Sequence, residues 1–90
     1  MFMQNKGEKN MENMYVVSRQ TTTSGTTTEV TNVTGRDSDE AILNAKIKAY
    51  KLMENFKNEA SMMDAFVGVS DLKSNIFITS ELWQKEIVTE

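Results

Sequence analysis

The chain predicts an α+β domain of order β-β-α-β-β, with two hairpins forming an antiparallel sheet and one helix packed across it. Three observations carry that expectation. Runs of β-branched and aromatic residues flank turn-forming residues at both ends of the chain. One stretch, residues 38–58, repeats its apolar residues with helical period. At 90 residues, with neither Cys nor Pro, the chain has the length of one domain and nothing to cross-link it.

Residues 1–13 are polar, with Met scattered among Asn, Lys and Glu and no sustained period. They read as a flexible polar tail, which leaves residues 14–90 as the single α+β domain. The first strand is Tyr15 to Thr21 and the second Thr27 to Thr34, with Ser24-Gly25 supplying the turn between them. Val30 and Val33 differ in parity, so either one of them faces away from the core or a bulge separates them.

The helix has a marked start. Asp37, with Glu40 three residues later, fits a capping pair, and Asp39 adds negative charge to the first turn. Counting about 100° per residue, Ala41, Ile42, Ala45, Ala49, Leu52, Met53 and Phe56 form one apolar side. Leu43, Ile47 and Tyr50 form a second stripe roughly 150° away by the same count. A helix lying on a small sheet needs a single apolar face. The second stripe therefore points to a partner chain, or to internal cover from the tail or the C-terminus.

Met62 to Val69 reads as the third strand, with Met63, Ala65, Val67 and Val69 on one face and Phe66 on the other. Gly68 inside it marks a bulge or a close approach by another backbone. Asp71 to Asn75 forms a turn, and Ile76 to Thr79 the fourth strand. Residues 80–90 either continue that strand or form a short helix capped by Ser80. The Ile76–Ile78 alternation, which can share one sheet with Trp83 and Ile87, favours the strand. The expected core includes Ile42, Phe56, Val67, Ile76 and Ile78.

Composition narrows the function. There is no His and no Cys, so the commonest metal ligands and the usual nucleophile–base pairs are absent. Asp37, Asp39 and Glu40 have the charge to hold a hard cation, but they lack an EF-hand pattern and are explained by capping. The expectation is a protein that is not an enzyme and uses no cofactor or metal. Ten basic residues against 13 acidic ones give a formal charge of −3. That charge disfavours nucleic acid, and the helix lysines are spread around its circumference rather than along a stripe. No apolar run is long enough to span a bilayer. Without an apolar N-terminal segment, the expected location is the cytoplasm.

What remains is a non-catalytic protein–protein interaction module that acts by surface binding, as a homodimer or larger homo-oligomer with a protein target. Its size and composition fit an inhibitor or adaptor encoded by a phage or other mobile element. The candidate interface residues are Leu43, Ile47 and Tyr50 on the helix, Thr22, Thr23 and Thr26 in the threonine-rich hairpin, and Trp83. One alternative is a small-ligand, nucleotide-like binding protein with its pocket at a subunit interface. Thr hydroxyls and a stacking Tyr50 or Trp83 would line that pocket. A weak nucleic-acid binder is the further alternative.

Overall fold

The structure is a computed structural model that describes residues 11–74 and 76–86. Strands β1 (Glu12–Thr22) and β2 (Gly25–Gly35) form the first hairpin, helix α1 (Ser38–Lys57) follows, and β3 (Met62–Ser70) and β4 (Phe77–Gln84) form the second hairpin. All pairings are antiparallel, in the order β2-β1-β3-β4. The two hairpins thus meet along β1 and β3, and α1 crosses β1, β2 and β3 on one face. The expected β-β-α-β-β architecture is the observed one. Residues 80–84 continue β4 as a strand.

β1 begins at Glu12, so Glu12 and Asn13 belong to the sheet rather than to the tail expected over residues 1–13. Residues 1–10 of that tail lie outside the described residues, as do Asn75 of the second turn and Ile87. The first turn is Thr23-Ser24. Gly25 is the first residue of β2, at a φ of 147° that suits glycine. The β1–β2 register runs unbroken, so no bulge separates Val30 from Val33. Val33 packs against the core and Val30 points to the opposite face.

The core lies between α1 and the near face of the sheet. Met14 and Val16 of β1, Ala41, Ala45, Met53 and Phe56 of α1, and Met62, Ala65, Val67 and Val69 of β3 are all buried. Small alanines along the helix let its backbone approach the sheet closely. Gly35 permits the closest approach: a Cβ there would lie 2.7 Å from Ala41 Cα and from the Glu40 carbonyl carbon. The helix starts as expected. Asp37 Oδ1 accepts from the Glu40 N–H at 2.9 Å, and the Glu40 carboxylate reaches back to the Arg36 N–H at 2.6 Å.

Three expected core positions are corrected. Met63 is exposed and Met62 is buried, because the β1–β3 register skips Met63 between Thr21↔Asp64 and Thr22↔Met62. The extra residue reverses the facing of the strand's first residue. Ile76 and Ile78 are exposed, at 67% and 45%, instead of buried. Ile76 precedes β4, and Ile78 is the unpaired residue of a second irregularity, between Val69↔Thr79 and Ser70↔Phe77. β4 is moreover an edge strand that α1 does not cover. Ile42 is half-buried; Phe56 and Val67 are buried as expected.

Candidate functional site

Because directly paired residues share a face, the register identifies every side chain on the side of the sheet away from α1. Val17 is flanked by Val30 and Gly68, Tyr15 by Asn32 and Ser70, and Arg19 by Thr28 and Phe66. Leu82 pairs with Phe66, and Phe77 with Ser70. This open face is apolar at its centre. Val30, Phe77 and Leu82 are exposed, and Tyr15, Val17 and Phe66 half-buried. No element among the described residues lies over it.

Gly68 explains part of its construction. The Phe66 and Phe77 rings meet edge to face, with centroids 5.2 Å apart. A Cβ on Gly68 would lie 2.6 Å from Phe77 Cδ1 and 3.2 Å from Phe66 Cζ. Among the described residues Gly68 thus makes room for two aromatic rings rather than for a bulge or another backbone.

The helix stripe also faces solvent. Leu43 is 57%, Ile47 46% and Tyr50 65% exposed, on the side of α1 away from the sheet. Internal cover from the described C-terminal residues is thus absent. Two grooves flank the helix. One, of about 440 Å³, runs between α1 and β4 past Lys46, Tyr50, Thr79 and Glu81. The other, of about 520 Å³, runs between α1 and β2 past Thr31, Val33, Asn44, Ile47, Lys48 and Lys51.

The remaining candidates occupy quieter positions. Trp83 pairs with Ala65 and packs half-buried against the core. Thr22 is half-buried, while Thr23 and Thr26 are exposed. The Thr21 and Thr26 hydroxyls bond across the strands at 3.0 Å, and Thr22 Oγ1 accepts from the Ser24 N–H at 3.2 Å. The Thr23 N–H donates to Ser61 O at 3.1 Å, and β3 pairs along β1 as far as Thr22. The hairpin is therefore tied down at its tip. Its threonines do not come together with Leu43, Ile47, Tyr50 or Trp83 into one surface.

Several charged groups are held within the fold. Arg36 and the Glu40 carboxylate are 3.0 Å apart, and this hydrogen bond holds the Glu40 carboxyl below its ordinary value. Lys57 joins the helix end to Glu81 of β4 at 3.1 Å, which raises its pKa. Asp71 accepts from the Ser74 N–H and hydroxyl and from the Lys73 N–H, and those bonds lower its pKa. Among the described residues no three acidic side chains converge on a metal position. No helix there is long and apolar enough to cross a membrane.

Compared with protein-family models, curated proteins and solved structures, the chain matches none.

The open sheet face was the element missed at the sequence level. A signal for it exists: Met14-Tyr15-Val16-Val17 and Ala65-Phe66-Val67 are apolar at both parities. Strands apolar on both sides read as covered on both sides, and one helix supplies only one cover.

Proposed function

We propose that this protein is a non-catalytic interaction module that works by presenting an apolar surface to another protein. The observation that carries the reading is the open sheet face, with Val17, Val30, Phe66, Phe77 and Leu82 clustered across all four strands. Contiguous apolar patches on small domains mark interaction sites more often than chance. The helix stripe of Leu43, Ile47 and Tyr50 offers a second surface on the opposite side. An inhibitor or adaptor encoded by a phage or other mobile element fits this economy of one small domain and two apolar faces.

The test is affinity capture from the native cell, comparing the wild type with Leu82→Lys on the sheet face and Ile47→Lys on the helix. Both side chains are exposed, so both variants should keep the wild-type circular dichroism and melting curve. A discrete protein retained by the wild type and lost with Leu82→Lys is the expected result. Retention unchanged by either substitution would overturn the reading.

A further inference from the structure

The sheet has two edges, and they differ in kind. β4 spans eight residues, carries an irregularity at Ile78 and has its Glu81 bound to Lys57. Short length and bulges are the usual devices that keep an edge from pairing. β2 has neither. It runs for 11 residues in unbroken register with β1, contains no Pro or Lys, and bears a single charge, Glu29.

The hydrogen-bonding sense of β2 follows from its turn. The two-residue turn makes Thr22 and Gly25 a hydrogen-bonded pair, and the pairs then alternate. The hydroxyl contact between Thr21 and Thr26 agrees, since side chains come closest at non-hydrogen-bonded pairs. Consequently Thr27, Glu29, Thr31 and Val33 bond inward to β1. Thr26, Thr28, Val30, Asn32 and Thr34 direct their N–H and C=O groups away from the sheet. The Thr34 carbonyl accepts from the Asn44 side-chain amide at 3.1 Å, and the outward groups of Thr26 to Asn32 form an unsatisfied row among the described residues.

We infer that this edge pairs antiparallel with β2 of a second copy of the chain, about a twofold axis at Val30, to make one eight-stranded sheet. Val30 is the middle residue of the strand, so this register alone overlaps both strands completely. It also places outward-bonding residues opposite outward-bonding residues, as pairing requires: Val30 against the partner's Val30, and Thr28 against the partner's Asn32. Val–Val and Thr–Asn neighbours are compatible across strands.

Charge selects the same register. Glu29 stands on the helix side of β2, and this pairing sets it opposite the partner's Thr31. Thr31 lines the groove between α1 and β2 together with Lys48 and Lys51. Neither lysine has an ion-pair partner among the described residues. Each Glu29 would thus enter a groove bearing two cations, twice over by symmetry. The neighbouring two-residue shift that brings Glu29 against the partner's Glu29 is disfavoured by like-charge contact. On the other side of the sheet, the Val17–Val30 row of each copy would join into one continuous apolar band. This goes beyond the surface reading above and stands without it.

The test uses the full chain, by sedimentation across a concentration series and by amide hydrogen exchange. The wild type should sediment at twice the 10.2 kDa of one chain. The outward N–H groups of Thr28, Val30 and Asn32 should be as protected as their inward neighbours. Val30→Pro removes an outward N–H that β1 does not use, and should give a folded monomer. Should that variant fail to fold, Glu29→Lys decides. It should weaken the dimer at least about tenfold by placing like charges together, and adding Lys48→Glu and Lys51→Glu should restore it. A wild type that remains monomeric, or a Glu29→Lys dimer as tight as the wild type, would overturn the proposal. A monomer that still captures its protein target through Leu82 would refute the edge pairing alone, whereas a dimer that captures nothing would refute only the surface reading.

Discussion

Gly35→Ala should destabilise this domain far more than Gly68→Ala, although both add one methyl group at a crowded place. At Gly35 the new Cβ meets Ala41 Cα and the Glu40 carbonyl carbon, each 2.7 Å away. Carbon contacts settle at about 3.5–4.0 Å, so the first turn of α1 would have to retreat from the sheet by about 1 Å. That turn is not free to move. Ala41 is fully buried, and Asp37 and Arg36 pin the helix start through Glu40. Overpacking of this kind costs about 1–3 kcal/mol, and a backbone obstacle belongs at the upper end. Reduced freedom of the unfolded chain returns about 0.4–1 kcal/mol. The net loss is about 2 kcal/mol, which for a domain of this size lowers the melting temperature by roughly 8–16 °C. At Gly68 the obstacles are the Phe77 and Phe66 rings on the open face, and Phe77 is exposed. Those rings can swing outward, and alanine suits a strand better than glycine by about 0.5–1 kcal/mol. Urea denaturation followed by circular dichroism measures both, with an unchanged slope showing that only stability has moved. A Gly35→Ala midpoint equal to the wild type, or higher than that of Gly68→Ala, would refute the close seat of the helix on Gly35.

Three further outcomes are expected. Phe56→Ala, at a buried helix position, should cost about 3–5 kcal/mol in the same titration. Asp37→Ala removes the hydrogen bond to the Glu40 N–H and should cost about 0.5–2 kcal/mol, with helix content falling at its first turn. Glu40 and Asp71 have lowered pKa values in the folded protein, so their contributions are present above the ordinary values of 4.5 and 3.8 and are lost as pH falls below them. Melting temperature should therefore drop on acidification through that range. Glu40→Gln combined with Asp71→Asn should flatten the drop.

Much of the local structure was legible because its causes are local. The Asp37 cap lies three residues from the N–H it accepts, and the hairpin turn lies between the strands it joins. The exposed stripe of Leu43, Ile47 and Tyr50 was legible for the same reason, since helical period needs no knowledge of the rest of the fold. Trp83 reads as a candidate contact because its ring can stack on a ligand. The structure instead seats it beside Ala65 against the core. Thr22, Thr23 and Thr26 read as candidate contacts, since nothing in their run indicates that the Thr23 N–H would find Ser61 O.

By itself, then, the sequence determined the element order, the helix bounds with their cap, and the two-sidedness of α1, all set by contacts within a few residues. Only the tertiary structure decided which strands adjoin, and with it which face each strand residue takes. Strand parity is a period of two, so the single extra residues at Met63 and Ile78 were enough to turn Met62 inward and Phe77 outward. The placement of β1 beside β3 gathered Val17, Phe66, Phe77 and Leu82 onto one open face and left β2 as the long unguarded edge. Pairing between distant strands follows from the summed packing of the whole sheet against one helix, and no single stretch of the chain encodes that sum.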